Sequence, residues 1–222
     1  RYVLLLRDGQ NLRKCRALVM YLEQKIKDSE GESGITGNWE NPDPVSGLFI
    51  SGQDPSENQP KIIFSEFQYS PAFFFDPEGA YAITRSLVMI PRNDPFLAGI
   101  LNSVLGRFVL TQTCPLTERG YHLSPAAVGK LPVYIPDFDK LADKARHEKM
   151  VSLFTHTLEL NRYLPQAKTD QERRLVQQEI DATDVRIDAL VYDLYGLTPE
   201  EITVVRKVSA GNILRPGEGH QT

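Results

Sequence analysis

Basic, aromatic and imidazole side chains that could bind a polyanion occur in two parts of the sequence. The first part contains Arg13 and Lys14, and the second contains, in order, Arg85, Arg119, Tyr121, His122 and Lys130. Lys and Arg hold phosphates, while Arg, Lys, Asn and Gln supply the donors that read base edges in the DNA major groove. These residues indicate a candidate DNA-contacting surface; the alternative is that they only solvate the surface, as most exposed Arg and Lys side chains do.

Trp39, the only tryptophan, is a further candidate for a DNA contact. It lies within residues 28–60, which are rich in Gly, Ser, Asn, Asp and Pro and therefore predict a long polar loop. Long loops in compact domains are commonly functional or disordered. The alternative interpretation is that Trp39 is a packing anchor.

Patterns that would indicate a catalyst are incomplete. His147-Glu148 begins like a zinc-protease motif, but Val151 stands where the second His is required. Gly129-Lys130 lacks the upstream Gly and the following Ser or Thr of a phosphate-binding loop. We therefore expect no catalytic residue, no metal ligand and no cofactor within this chain.

Three aspartates, Asp181, Asp184 and Asp188, recur at helical spacing and would share one helical face. Carboxylates in this arrangement can bind a hard cation. We favour the simpler interpretation that they form a solvated acidic face.

Charge is distributed unevenly along the 222 residues, although the formal net charge is only −4. Residues 1–27 contain seven basic and two acidic side chains, residues 28–78 contain one and ten, and residues 79–135 contain five and two. The acidity of the whole chain argues against a histone-like binder but permits a nucleic-acid reader with one basic face. No apolar run approaches the ~20 residues of a transmembrane helix, so no membrane partner is expected.

The two cysteines, Cys15 and Cys114, are far apart, which offers no metal-binding spacing and argues against a disulfide framework. A reduced, cytoplasmic setting is therefore expected. The sequence begins with Arg rather than Met, and we interpret it as a fragment of a longer chain.

The first 136 residues predict a mixed α/β domain that would position these side chains. Short β-rich runs occur at 2–6, 61–64, 72–75, 80–83, 86–90 and 132–136, and a helical apolar pattern spans 12–27. Asp94-Pro95 and Ser124-Pro125 each combine an N-cap residue with a Pro at the first helical position. The first of these predicts a helix with Leu97, Leu101, Val104 and Phe108 along one face.

Residues 137–205 have a helical pattern, and residues 206–222 form a Gly-rich tail that we expect to be frayed. A helix over 140–164, ended by Pro165, precedes a capping box at Thr169 and a second helix. The second helix has a heptad seam, which consists of Val176, Ile180, Thr183, Ile187, Leu190 and Leu194. Gly196 suits its C-terminal cap, and Thr198-Pro199-Glu200-Glu201 forms another capping box.

The expected fold class is therefore α+β, with a mixed or antiparallel sheet, flanking helices and a C-terminal antiparallel helical hairpin. The alternative to the hairpin is an ordinary amphipathic helix that packs on its own domain.

The segment from Ile180-Asp181-Ala182-Thr183-Asp184 to Val191-Tyr192-Asp193-Leu194-Tyr195-Gly196-Leu197 resembles the C-terminal helical end of adenine-specific DNA methyltransferases and fused restriction-modification enzymes. Upstream, PKIIFSEFQYSPAFFFDPEGAYAI, FLAGILNSVLGRFVL and RGYHLSPAAVGKLPVYIP resemble the TaqI-like C-terminal specificity domain, the target-recognition domain of these enzymes. The resemblance covers about residues 60–205, and residues 1–59 match only loosely.

This resemblance implies that the chain reads double-stranded DNA. An N-terminal methyltransferase domain outside this chain would bind S-adenosylmethionine, flip an adenine and methylate N6, and the parent type II restriction enzyme could also cleave. The helical hairpin would be a strut or docking element between reader and catalyst. Two alternatives remain at this stage, namely a helical protein-protein interaction or dimerisation module, and a nuclease or hydrolase with an unrecognised site.

Overall fold

The computed structural model describes residues 49–50, 59–81, 83 and 87–211. The predicted strand at 2–6, the helix over 12–27, most of the loop over 28–60 and residues 212–222 of the predicted tail lie outside the described residues, as do Arg13, Lys14, Trp39 and Arg85. Residues 206–211, which were predicted to belong to the frayed tail, are helical, so that prediction is wrong there. Seven strands are described, namely β1 Phe49–Ile50, β2 Lys61–Ser65, β3 Phe67–Gln68, β4 Phe74–Asp76, β5 Leu87–Ile90, β6 Leu116–Thr117 and β7 Gly120–His122. The helices are α1 Pro95–Asn102, α2 Val104–Thr113, α3 Pro125–Val128, α4 Leu141–Tyr163, α5 Asp170–Tyr195 and α6 Pro199–Gly211.

The expected α+β class is confirmed, with two antiparallel sheets on which helices pack. The larger sheet has the strand order β1-β5-β2-β4, and the smaller has the order β3-β7-β6. The strands expected at 61–64, 72–75 and 86–90 are confirmed as β2, β4 and β5 within two residues at each end. β1 pairs with β5 inside the stretch that was predicted to be loop, so that prediction is wrong at Phe49–Ile50.

The strand predicted over 80–83 is wrong for the described part of that run. The backbone N–H groups of Ala80 and Tyr81 each donate to the Asp76 carboxylate at 3.0 Å. A side chain therefore satisfies these donors in a turn, and a neighbouring strand is not needed.

The helix predicted after Asp94 is present but is broken in two. Asp94 accepts from the Leu97 N–H at 2.9 Å and starts α1 as expected. Ser103 then interrupts the predicted apolar face, because its extended backbone ends α1 and its hydroxyl accepts from Gly106 N–H at 3.0 Å to start α2. The turn is tight, since a Cβ at Gly106 would lie 2.3 Å from the Ile100 carbonyl oxygen.

The strand predicted over 132–136 is also wrong. The Tyr195 hydroxyl accepts from the Tyr134 N–H at 2.9 Å and donates to the Pro132 carbonyl at 2.6 Å. Pro132 and Pro136 have no N–H to give to a ladder. This segment is therefore held by the end of α5 and not by a sheet.

The C-terminal hairpin consists of α4 and α5, which are joined by a 3₁₀ turn over Leu164–Gln166 that contains Pro165. Thr169 accepts from the Glu172 N–H at 3.1 Å, as the capping box predicts. Gly196 has a φ of 63° and ends α5 in the left-handed region, where a residue without Cβ is favoured. Thr198 and Glu201 then cap each other at the start of α6, at 2.8 and 3.3 Å.

The heptad positions of α5 lie on its inner face. Val176 is half-buried, and the other five, Ile180, Thr183, Ile187, Leu190 and Leu194, are buried. The C-terminal half of this face joins the same hydrophobic core as β2 and β5, and α5 packs on both α4 and α2. On α4 the buried apolar residues are Met150 and Phe154. Among the described helices, none is long and apolar enough to cross a membrane.

Candidate nucleic-acid interface

An exposed hairpin formed by β6 and β7 carries Arg119 at its turn. Leu116 pairs with Tyr121 and Thr117 pairs with Gly120, which leaves Glu118 and Arg119 as the connecting residues. Residues 115–119 are all exposed. Of the candidate residues in this region, only Arg119 belongs to the turn, because residues 120–122 form β7.

Side-chain hydrogen bonds hold this hairpin in one conformation. The Thr117 hydroxyl donates to the Gly120 carbonyl at 2.7 Å and accepts from the Arg119 N–H at 3.2 Å. From outside the hairpin, the Tyr69 hydroxyl donates to the Glu118 carbonyl at 3.1 Å. Both turn residues are thus fixed through their backbones, while their side chains stay exposed.

Gly120 allows the hairpin to lie directly against the end of β3. Its φ is 98°, and a Cβ at this position would lie 2.6 Å from the backbone of Gln68. A side chain would therefore be strained by its own backbone and would clash with the neighbouring strand. Gln68 is itself anchored, because its side chain bonds Ser65, Ala72 N–H and Ala72 carbonyl at 2.9 to 3.1 Å.

Phe67 organises the polar side chains of this corner. The Arg119 guanidinium lies over its ring at 4.1 Å from the centroid, a cation–π contact. The His122 ring stacks on the same Phe67 ring at 4.5 Å with an interplanar angle of 6°. Phe67 and His122 are paired in the β3–β7 register, which places both rings on one face of the small sheet.

Glu66 completes the cluster and determines its electrostatics. The Glu66 carboxylate lies 2.8 Å from His122 Nε2. Because Glu66 and Glu118 accompany Arg119 and His122, this corner has no excess of positive charge. Such a surface is poorly suited to clamp phosphates, whereas mixed donors and acceptors suit the edges of bases.

The candidate DNA-contacting residues from the sequence have different environments. Arg119 and His122 meet on the Phe67 ring, and Lys130 is exposed beyond the end of α3, outside this cluster. Tyr121 is buried in the hydrophobic core, where burial raises the pKa of its hydroxyl. Glu66, Phe67 and Tyr69 were missed, although the alternation of Phe67 and Tyr69 with polar neighbours is the period-two signal of a strand face.

Two of the three aspartates of α5 fit a solvated face. Asp181 and Asp184 are both exposed, and Asp181 accepts from the Gln177 side chain at 2.8 Å. Asp188 is half-buried and accepts from the Val104 N–H at 2.8 Å, which caps α2. Burial raises the pKa of Asp188, and burial followed by the nearby Asp188 charge raises the pKa of Asp184. Arg107 acts on both carboxyls in the opposite direction.

Groups that a reaction centre would use have structural roles in the described residues. Cys114 is buried, and burial raises the pKa of its thiol to about 11, so the reactive thiolate is scarce at neutral pH. The His147 ring stacks on Phe96 at a centroid distance of 5.0 Å. Within the described ranges, no group of three or more His, Cys, Asp or Glu side chains could hold a metal ion.

No protein-family model matches the chain, and no curated protein matches it significantly.

Proposed function

We propose that this chain recognises a specific sequence in double-stranded DNA within a restriction-modification enzyme. In that role it positions the duplex for N6-adenine methylation by an N-terminal domain outside this chain. The observation that carries the proposal is the fixed, exposed β6–β7 hairpin, which presents Arg119 on the Phe67–His122 stack. The family resemblance over residues 60–205 supports the same conclusion.

The hairpin would read bases through the guanidinium of Arg119. A two-stranded ribbon fits the major groove, and Arg makes a bidentate contact with guanine that is worth about 1–3 kcal/mol of discrimination. The contact with Phe67 and the hydrogen bonds of the turn order Arg119 before DNA arrives. Less conformational entropy is therefore lost on binding.

The α4–α5 hairpin would set the distance between this reader and the catalytic domain. Its helices have 23 and 26 residues and share a buried seam, which makes the pair stiff. Flipping an adenine costs a few kcal/mol, and the contacts of the reader would help to offset that cost. S-adenosylmethionine would bind the methyltransferase domain, and the enzyme would act in the cytoplasm.

A second candidate function is protein-protein interaction or dimerisation through the helices. Three large apolar side chains near the start of α4 are exposed, namely Ile135 at 52%, Phe138 at 59% and Leu141 at 86%. A partner that covers them would make the chain self-associate or bind another protein. Sedimentation velocity over a range of concentrations tests self-association, since a pure DNA reader can stay monomeric.

The test of DNA reading is fluorescence anisotropy of the 222-residue chain with a randomised duplex at two salt concentrations, followed by sequencing of the bound pool. We expect an enriched motif and a salt-sensitive affinity. Arg119→Ala should lower affinity for that motif by about 10- to 100-fold and remove the preference for one guanine. Arg174→Ala is the matched control, because Arg174 is an exposed arginine on α5 and does not belong to the β6–β7 hairpin. An unchanged motif in the Arg119→Ala variant contradicts the proposal.

A further inference from the structure

A cleft with an aromatic wall and a polar wall lies between the larger sheet and the helical hairpin. It has a volume of about 420 Å³ and is lined by residues of β4, the α1–α2 junction, α4 and α5. This volume is within the range of about 300–1,000 Å³ that small-molecule sites occupy. None of the residues of the β6–β7 hairpin lines it.

The aromatic wall consists of Phe73, Phe74, Phe75 and Phe154. Phe75 and Phe154 meet edge to face at 6.0 Å and belong to the core, so this part of the wall is fixed. Phe74 is 49% exposed and makes an edge contact with Tyr81 at 5.1 Å. An open phenyl ring at the cleft is a stacking surface for a second planar ring.

The polar wall combines an exposed carboxylate, a buried hydroxyl and a guanidinium. The Asp184 side chain is exposed and has no hydrogen bond or ion pair to a described residue, whereas the neighbouring Asp188 caps α2. The Thr157 hydroxyl is buried and also has no partner in the described residues. Arg107 uses one Nη1 donor on the Asn102 carbonyl, which leaves further guanidinium donors for the cleft.

These groups restrict the class of ligand. Asp184 can accept from a donor, Arg107 can donate to an acceptor, and the phenylalanines offer a flat apolar face. Phosphate is disfavoured, because Asp184 and Asp188 both repel an anion. A bare cation would leave the aromatic wall and the Arg107 donors unused.

We propose that this cleft binds a nucleobase that bears an exocyclic amino group. The ring lies against Phe74, the amino group donates to Asp184, and a ring acceptor receives a hydrogen bond from Arg107. Adenine and cytosine have this donor next to an acceptor on one edge, and thymine has no amino group.

The base could come from a free nucleoside or from an extrahelical position in DNA. Unpaired bases expose both a face and a Watson–Crick edge, which is what the two walls accept. The DNA source rests on the proposed function, whereas the free nucleoside does not. The cleft and the hairpin share no residue, so each can fail without the other.

The first experiment is titration calorimetry of the 222-residue chain with adenosine, cytidine and thymidine. The second is anisotropy with duplexes that contain a single bulged adenine or a single bulged thymine. We expect amino-bearing bases to bind about tenfold more tightly than thymine in at least one of the two experiments. Binding of the nucleosides identifies a free ligand, and binding of the bulged duplex alone identifies DNA as the source.

Two variants and a control connect that preference to the cleft. Asp184→Ala should lower affinity about tenfold and remove the preference for an amino group. Phe74→Ala should weaken the binding of adenine and of thymine to the same extent, because it removes only the stacking surface. Asp181→Ala removes an exposed carboxylate one helical turn away and should leave the affinity and the preference for an amino group unchanged.

Equal binding of thymine and adenine, no binding of any nucleoside or bulged duplex, or an unaffected Asp184→Ala variant would each overturn the inference. Loss of sequence-specific binding in Arg119→Ala with retained adenine binding would leave both proposals standing. If the chain bound adenosine but no paired duplex, the proposed function would be rejected and the inference of a nucleobase site in the cleft would stand.

Discussion

Asp76 on β4 and Asp184 on α5 differ in how many hydrogen-bond and ion-pair partners their carboxylates have. Asp76 accepts from the Ala80 and Tyr81 N–H groups and pairs with Lys61 at 3.0 Å, with 0% and 2% of the Lys61 and Asp76 side chains exposed. Asp184 has no such partner among the described residues and faces the cleft.

The two environments move the pKa of these carboxyls in opposite directions. At Asp76 burial favours the neutral form, but the Tyr81 N–H, Lys61 and the Ala80 N–H together hold the pKa below its ordinary value of 3.8. At Asp184 burial and the Asp188 charge raise the pKa, and Arg107 offsets this only in part. A fully partnered carboxylate thus stabilises the fold, whereas an unpartnered one destabilises it and remains available to a ligand.

The largest effect is expected at Asp76. Asp76→Ala removes the carboxylate and leaves the Lys61 ammonium buried without it, which should lower the free energy of unfolding by about 3–5 kcal/mol. Urea denaturation followed by circular dichroism measures this loss. A Lys61→Met/Asp76→Asn double variant should recover part of it, because Met removes the buried charge and Asn keeps an acceptor oxygen for the Ala80 and Tyr81 N–H groups. A loss below about 1 kcal/mol in the single variant would mean that the pair is not what stabilises this edge of the sheet.

An intermediate effect is expected at Asp188, which has a backbone partner but no ion pair to another described residue. Asp188→Ala removes the acceptor of the Val104 N–H at the start of α2 and should lower the free energy of unfolding by about 0.5–2 kcal/mol. Asp188→Asn keeps an acceptor oxygen and should be milder. Equal losses in both variants would show that charge, and not capping, is the relevant property.

The smallest effect, with the opposite sign, is expected at Asp184. Because its pKa is raised by folding, its protonated form is favoured in the native state, and the stability it contributes is present below 3.8 and lost as pH rises through the folded-state pKa. Asp184→Asn should therefore raise the urea midpoint slightly at about pH 7 and not at about pH 3. At Asp76 the lowered pKa gives the reverse, since its stabilisation is lost as pH falls below 3.8. A lower urea midpoint for Asp184→Asn at about pH 7 would contradict the claim that Asp184 and Asp76 affect stability in opposite directions.

Features set by neighbouring residues could be predicted from the sequence. Asp94, Ser124, Thr169 and Thr198 each cap a helix as expected, because the donor that each satisfies lies three residues away. The heptad spacing of α5 likewise predicted its buried face, since periodicity and burial are linked on any amphipathic helix.

Features set by distant residues could not be predicted. The break before Val104 depends on Asp188, which is 84 positions away, and the segment after Leu131 depends on Tyr195, which is more than 60 positions away. The cleft was missed for the same reason. The three aspartates of α5 have a visible spacing, but only the packing of α5 on α2 places Asp184 and Asp188, and not Asp181, at the cleft.

The hydrogen bonds of the Tyr195 hydroxyl limit where two such chains can be recombined. A recombination crossover at residue 136 would separate this hydroxyl from Tyr134 and Pro132, and would divide a core that runs from Ile62 to Val205. In a chimera joined there, the two sides of the hydrophobic core would come from different parent proteins, as would the donor and acceptor groups of the Tyr195 hydrogen bonds. The smallest segment that could be transplanted intact therefore extends from β2 through α6, so the helices must travel with the sheets that they support.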